Sequence, residues 1–380
     1  MRYVIVIIVI FLIWRIFLFV PLFAGHNFLP YRSGYEYTSI WKFTQQYKPV
    51  DHFLLYPWAN FDGVHYLRIA GAGYSNNGGF FPLYPLLIHV LSLFFGTIKI
   101  FGKVEFFSAL FVSNVFSLLS LVVFYKLLRI DYLDGFAKKI IFFLLVFPTA
   151  FFFGSVYTES IFLLLSLLAF LCARKGKWLF AGLFGGLLSA TRIVGNIILP
   201  ALIIEYMSQK KARPLKAWPL ALVPLGLLIY MWFSLEKWNN AFYFVKAQGM
   251  LLNNRSVNSI ILFPQTLIRY CKILLTLTPN QYEFWIAILE FFTFFFVAVL
   301  LYIAWKNKVR VSYLVFSVFC FLIPVSSGTF SGLPRYALVL FPIFIALAFV
   351  GKKMQMLYII LSIILLFILL MLFSRGYFVA

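Results

Sequence analysis

Long apolar runs recur along the whole chain and constrain its fold more than any other feature. The outermost runs are Tyr3 to Phe23 and Tyr358 to Phe373, and such runs approach the ~20 residues that a helix needs to cross a bilayer. Only 11% of the residues are charged and the mean hydropathy is +0.97, so too few polar residues remain to coat a soluble globule. The sequence therefore predicts an all-α polytopic membrane protein.

Basic residues gather in short segments between the apolar runs and predict the topology. The clusters are Lys126, Arg129, Lys138 and Lys139; Arg174, Lys175 and Lys177; Lys210, Lys211, Arg213 and Lys216; Lys306, Lys308 and Arg310; Lys352 and Lys353. By the positive-inside rule all of these clusters are cytoplasmic. This placement accounts for the formal net charge of +21, and no nucleic-acid partner is predicted.

Placing every basic cluster on the cytoplasmic side gives about eleven transmembrane helices. The predicted crossings are 3–23, 105–128, 138–153, 156–173, 178–191, 195–208, 217–235, 284–305, 311–326, 335–350 and 355–373. Residues 25–79 then form a large first extracytoplasmic loop, and 236–283 form the second. The chain is predicted to be a single transmembrane domain over 1–380, with its first apolar run as an uncleaved anchor.

Two apolar stretches do not fit this parity as simple spans. They are 80–98, which is interrupted by prolines, and 258–278, which contains Arg269 and Lys272. Irregular backbone at membrane depth needs protein or water around it. Both stretches are therefore predicted to be re-entrant or interfacial helices.

Five polar side chains fall at the predicted outer tips of apolar hairpins, on one face of the membrane. They are Asp62, His65, Glu159, Arg192 and Arg335. If the stretch around Asp62 is helical, Asp62 and His65 share a face at i, i+3 spacing. Asp62 could then act as a general base toward an acceptor hydroxyl, while His65 orients it or binds a phosphate. The alternative is an aspartate that caps a short helix and a histidine of the loop.

The other three tip residues also allow two interpretations each. Glu159 either begins a helix, where the dipole favours an acid, or reaches the substrate or a divalent ion. Arg192 interrupts an apolar stretch, where a buried cation needs a partner. Arg335 follows a Gly/Ser-rich loop at a predicted helix start, where backbone donors and a guanidinium can together hold an anion. For each arginine the anion is either a phosphate or an internal carboxylate, such as that of Glu159 or Asp62. Arg15, inside the first apolar run, is predicted to face the bundle interior. The three cysteines show no metal spacing, so no metal site and no other cofactor are predicted, although a divalent metal stays open.

Several sequence blocks together resemble a known family. They are FDGVHYLRIAGAGY, FFPLYPLL, SVYTESIFLLLSLLAF and ATRIVGN, with looser matches in WNNAFYFVKAQ and LPRYALVLFP. In this order they resemble the PIG-V family, the second mannosyltransferase of GPI-anchor assembly, and its prokaryotic relatives in the GT-C glycosyltransferase superfamily. The resemblance implies a GT-C-like bundle whose first external loop supplies the catalytic acid, here Asp62. The family usually has Trp where this chain has Phe61.

The resemblance also implies an activity. It predicts a mannosyltransferase-like enzyme that moves a hexose, with inversion, from a polyprenyl-phosphate-linked donor to a hydroxyl of a glycan, glycolipid or protein acceptor. The active site would lie on the extracytoplasmic face of the cell membrane, among membrane lipids. One competing hypothesis is a lipid or solute transporter or flippase, in which buried arginines and acids line a path. Another is a non-catalytic scaffold or sugar-lipid-binding subunit.

Overall fold

The structure is a computed structural model that describes residues 2–40, 52–96, 104–209, 214–251 and 261–380. Parts of both predicted extracytoplasmic loops, 41–51 and 252–260, lie outside the described residues. Within the described ranges every named element is helical, and one isolated bridge joins Ile261 to Ser327. The all-α prediction is therefore confirmed for these ranges, and the candidate membrane spans are consistent with a polytopic membrane protein.

The first half of the described chain contains α1 (Arg2–Phe17), α2 (Phe19–Phe28), α3 (Tyr35–Thr38), α4 (Asp62–Ala72), α5 (Leu83–Phe95), α6 (Val104–Leu128), α7 (Asp134–Leu145), α8 (Glu159–Arg174) and α9 (Trp178–Ser189). The second half contains α10 (Ile198–Met207), α11 (Leu225–Trp238), α12 (Tyr243–Leu251), α13 (Phe263–Thr276), α14 (Tyr282–Lys306), α15 (Val311–Val325), α16 (Leu333–Ala337), α17 (Phe341–Phe349) and α18 (Lys352–Ser374). Short 3-10 helices cover Tyr56–Ala59, Ala150–Gly154, Ile193–Ile197 and Pro214–Leu222.

Five helical segments of the described chain are long and apolar enough to cross a membrane. They are Tyr3–Phe28, Val104–Leu128, Ala217–Trp238, Tyr282–Lys306 and Lys352–Ser374, and each overlaps a predicted crossing. The remaining predicted crossings fall on shorter helices, such as α9 and α10 on either side of Arg192. Helices α5 and α13, in the two stretches predicted not to cross, have 13 and 14 residues, fewer than the ~20 of a full span.

Proline explains the boundary inside the first span. Helix α1 ends at Phe17 and α2 begins at Phe19. Pro21 has no backbone N–H, so it cannot donate to the carbonyl of Phe17 four residues earlier. The helix is interrupted at this point, but the apolar segment continues to Phe28.

The chain divides into two compact units. The first unit comprises Met1–Leu167 and Leu357–Val379, and the second comprises Leu168–Met356 with Ala380. Large rings fill the interior of the first unit. Among its fully buried side chains are Trp58, Tyr84, Tyr157, Phe151, Phe152 and Phe153.

A buried carboxylate joins basic segments within the second unit. Glu205, near the end of α10, is fully buried and accepts hydrogen bonds from Nε and Nη2 of Arg310 at 2.6 and 2.7 Å. Nε of Arg174 lies 3.9 Å from the same carboxylate, and the Ser312 hydroxyl donates to it at 2.7 Å. Residues of two of the predicted cytoplasmic clusters therefore meet at one carboxylate of the second unit.

Candidate active site

Asp62 and His65 lie on one helical face, as predicted. Asp62 begins α4 and His65 follows in its first turn. The helix dipole favours an ionised carboxylate at this position. Both side chains are half-buried, and the His65 ring stacks on Phe80, with ring centroids 4.8 Å apart and planes at 16°. The alternative of a loop histidine is wrong, because His65 belongs to the helix.

A strained turn immediately precedes Asp62. Phe61 has φ 58° and ψ −114°, which is the conformation of the first central residue in a type II′ turn and favours glycine. The Gly63 N–H donates to the Asn60 carbonyl at 3.4 Å and closes the turn. A large side chain in such a conformation costs about 1–3 kcal/mol, and surrounding contacts must hold it there.

Three hydrogen bonds to two distant chain segments hold the backbone that leads into α4. The Tyr157 hydroxyl donates to the Asn60 carbonyl at 2.8 Å. The Val156 N–H donates to the Trp58 carbonyl, also at 2.8 Å. Nδ2 of Asn60 donates to the Phe373 carbonyl at 2.9 Å. These bonds join chain segments that are far apart in sequence, so the position of the turn depends on the folded unit as a whole.

Two further polar side chains contact the same segment. The Arg15 guanidinium lies 3.8 Å over the Trp58 ring and donates from Nη2 to the Gly154 carbonyl at 3.2 Å, so Arg15 faces the interior as predicted. A Cβ at Gly154 would lie only 2.6 Å from Nη1 of Arg15. The Tyr35 hydroxyl donates to Oδ1 of Asn60 at 3.4 Å. Burial raises the pKa of the Tyr35 phenol above its ordinary value, so it remains a hydrogen-bond donor at neutral pH.

Glu159 begins α8 two residues after Tyr157, and its side chain is fully buried. Its placement at a helix start is confirmed. The Tyr157 bond to the turn before Asp62 therefore joins the segments that carry the two predicted acids. No group of three or more His, Cys, Asp and Glu side chains able to hold a metal ion occurs in the described ranges.

In the second unit, Arg192 and Arg335 approach the same aromatic ring. The guanidinium carbons lie 5.9 and 5.4 Å from the centroid of Tyr336, within the ~6 Å range of a cation–π contact. The structure therefore brings these two predicted residues together around a third that the sequence analysis missed. The only signal for Tyr336 was its position directly after Arg335.

Glycine makes the chain break at Arg192 possible. Arg192 is extended, with φ −158° and ψ 152°, between α9 and the 3-10 helix that follows. The Gly195 N–H donates to the Arg192 carbonyl at 2.9 Å. A Cβ at Gly195 would lie 2.3 Å from the Leu188 carbonyl oxygen. The glycine of ATRIVGN is thus required by a close backbone approach.

The sequence predicts that backbone donors at a helix start help Arg335 to hold an anion. The structure does not support this part of the prediction. Helix α16 has only five residues, too few for a substantial aligned dipole. The Gly332 N–H already donates to Oε1 of the buried Glu290, at 3.3 Å, and Glu290 also accepts from the Tyr270 hydroxyl at 2.5 Å. The guanidinium of Arg335, only 8% exposed, is therefore the anion-binding candidate, without help from the Gly332 amide.

Comparisons with known proteins give little direct support for an identity. No protein-family model matches the sequence, and no curated protein matches it significantly. The fold is similar to the crystal structure of an Archaeoglobus fulgidus oligosaccharyltransferase tethered to an acceptor peptide with an NVT sequon, with a TM-score of 0.43 and 15% identity over 84% of this chain. The match covers 51% of that solved chain, so this protein spans about half its length.

Proposed function

We propose that the protein is a glycosyltransferase that moves a hexose from a polyprenyl-phosphate-linked donor to an acceptor hydroxyl. The observation that carries the proposal is the strained Phe61 backbone directly before Asp62, because strain of this kind concentrates at functional sites. The FDGVHYLRIAGAGY resemblance identifies Asp62 as the acid, and mannose is the sugar that it implies. The acceptor is a glycan, glycolipid or protein.

The reaction is a single displacement at the anomeric carbon. The carboxylate of Asp62 removes the proton from the acceptor hydroxyl as its oxygen attacks that carbon. The new bond to the acceptor oxygen forms while the bond from the carbon to the phosphate oxygen breaks, and the lipid phosphate leaves with the electron pair. The configuration inverts, and the proton on Asp62 passes to solvent. A first-turn position on α4 suits this role because it favours the ionised carboxylate.

Arg192 and Arg335 are the proposed ligands of the leaving phosphate. Negative charge grows on that phosphate in the transition state, and preorganised guanidinium groups stabilise it. Their shared contact with Tyr336 supports this assignment.

The donor's lipid tail explains why the enzyme needs little soluble structure. A polyprenyl chain can lie beside apolar helices while its head group stays at the membrane surface. We place the head group on the extracytoplasmic side of the cell membrane, the side assigned to Asp62 by the positive-inside rule.

A reconstituted assay tests the proposal. Purified protein in vesicles receives polyprenyl-phosphate mannose or glucose with candidate acceptors, and Asp62→Asn is compared with the native chain. Asp134→Asn is the matched control, since Asp134 also begins a helix but is exposed and paired with Lys138. We expect native protein and the control to transfer the sugar and Asp62→Asn to fail. Movement of the lipid across the vesicle without transfer, and unaffected by Asp62→Asn, would establish the transporter instead.

A further inference from the structure

We infer that three aromatic residues, Phe61, Phe373 and Phe378, form a clamp that positions Asp62. The inference rests on the proposed function and adds to it a role for the chain segment that follows α18. We call these three residues the aromatic clamp. Phe61 is a positioning residue within it, because it acts through the backbone of Asp62.

Phe61, directly before Asp62, has a strained backbone, and the other two residues of the aromatic clamp contact its ring. The Phe61 ring lies 5.6 Å from the ring of Phe373, at 39°. It also lies 5.6 Å from the ring of Phe378, at 80°, in an edge-to-face arrangement. Such pairs add stabilisation beyond the apolar area that they bury. These ring contacts therefore stabilise the strained turn conformation of the Phe61 backbone.

The segment that supplies Phe373 and Phe378 is anchored independently of α4. The Arg375 guanidinium lies 3.3 Å over the Tyr31 ring and donates from Nε to the Leu29 carbonyl at 2.9 Å. Gly376 has φ +83°, and a Cβ there would lie 2.3 Å from the Tyr35 ring. These contacts fix the segment against the chain that follows α2. Phe378 therefore has a fixed position against which the Phe61 ring packs.

The polar contacts of the neighbouring residues reinforce the same arrangement. Asn60 is fully buried, and its amide donates to the Phe373 carbonyl at 2.9 Å. The Phe61 N–H donates to the Thr38 carbonyl at 2.8 Å. Hydrogen bonds thus hold the backbone on both sides of Phe61, and the ring contacts act on the side chain of the strained residue itself.

Loss of the clamp should affect the direction of the Asp62 carboxylate more than donor binding. If the Phe61 backbone relaxes, the first turn of α4 reorients, and a general base displaced by about 1 Å loses much of its effect. The clamp variants leave the proposed phosphate ligands, Arg192 and Arg335, unchanged. The change is therefore expected in kcat, with KM for the donor nearly unchanged.

The experiment measures transfer kinetics and amide hydrogen exchange on the same full-length variants. Phe378→Ala removes one wall of the clamp, and Phe61→Trp retains a large ring at its centre. Phe136→Ala is the matched control, because Phe136 is also half-buried and stacks on one neighbouring ring, Tyr132, at 5.1 Å. Phe61→Gly is a second test if Phe378→Ala fails to fold, since glycine adopts the turn conformation without strain.

We expect Phe378→Ala to lower kcat about tenfold or more and to speed amide exchange in the peptide that contains Gly63. Phe61→Trp should keep most of the activity, and Phe136→Ala should match the native protein in both measurements. Phe61→Gly removes the ring that the clamp contacts and leaves the turn free to adopt other conformations, so it should lower kcat by more than its loss of thermal stability accounts for. A purely structural role would instead make activity fall in step with stability.

Failure of the inference and failure of the proposed function give different results. If native protein transfers sugar and Phe378→Ala keeps full kcat, or loses no more than Phe136→Ala, the clamp inference is overturned. If native protein transfers no sugar from any donor tried, the proposed function fails. Amide hydrogen exchange alone then tests the clamp inference. Faster exchange at Gly63 in Phe378→Ala would then support it, and unchanged exchange would overturn it.

Discussion

The hydroxyl of Tyr157 donates a hydrogen bond to the carbonyl oxygen of Asn60 across 2.8 Å, although the two residues are 97 positions apart in the chain. Asn60 opens the turn that leads to Asp62, and Tyr157 lies two residues before Glu159. The bond therefore connects the two chain segments that carry the predicted acids. It couples the geometry of one segment to the packing of the other.

Tyr157→Phe should weaken transfer more than an equivalent change elsewhere. Removal of one buried hydroxyl donor costs about 1 kcal/mol of stability, and here it also frees the turn before Asp62. Tyr358→Phe is the matched control, because the Tyr358 hydroxyl also donates to a buried carbonyl, that of Phe143, at 2.8 Å. Thermal unfolding should shift similarly in both variants, while kcat falls only in Tyr157→Phe. Equal kcat values in the two variants would contradict the role given to this bond.

Arg192→Gln and Arg335→Gln should each weaken binding of a polyprenyl phosphate. A charge-assisted hydrogen bond contributes about 1.5–3 kcal/mol, so we expect an increase of about 10- to 100-fold in Kd, measured by titration calorimetry in detergent. If the two guanidinium groups share one phosphate, the double variant will lose less than the sum of the single losses. Lys306→Gln, in an exposed basic cluster that is predicted to be cytoplasmic, controls for net charge. If both arginine variants bind the polyprenyl phosphate as tightly as Lys306→Gln does, the phosphate binds elsewhere.

Glu205→Gln should destabilise the second unit without a direct effect on donor binding. The substitution leaves Arg310 and Arg174 beside a neutral buried amide, and removal of one partner from a buried ion pair costs about 3–5 kcal/mol. Asp134→Asn removes a carboxylate from an exposed pair with Lys138 and should leave stability nearly unchanged. The free energies of unfolding of the two variants are compared by denaturant unfolding monitored by tryptophan fluorescence. Equal stability of the two variants would show that the Glu205 pair contributes little.

Gly195→Ala should displace the chain break that carries Arg192. The added Cβ would lie 2.3 Å from the Leu188 carbonyl oxygen, a backbone atom that cannot move without shifting α9. We expect a lower thermal unfolding temperature together with weaker polyprenyl-phosphate binding. Gly135→Ala is the control, because a Cβ there meets nothing within 4 Å. A Gly195→Ala protein that unfolds and binds like Gly135→Ala would contradict the close approach.

Local sequence patterns were enough to predict several parts of this structure. The i, i+3 spacing of Asp62 and His65 predicted a shared helical face, and the polar interruption at Arg192 predicted a break between two short helices. Apolar runs predicted the five long spans. Each of these features depends on residues that are close together in the chain, so periodicity and composition reveal them.

Other parts of the site depend on contacts that no local pattern contains. The clamp around Phe61 needs rings from residues more than three hundred positions later, and Glu205 is paired with Arg310 only because α10 and α15 pack together. Glu290 is similarly satisfied by Tyr270 and Gly332. A phenylalanine in an apolar chain carries no signal that its backbone is strained. Such features emerge only from the three-dimensional arrangement.

The most direct test of the central claim is the single-turnover rate of sugar transfer by Asp62→Asn, at a concentration that saturates the polyprenyl-phosphate sugar. A general base contributes about 10²- to 10⁴-fold, so the account predicts a loss of that size, with donor Kd unchanged and Asp134→Asn as fast as the native chain. Transfer by Asp62→Asn at the native rate would contradict the account.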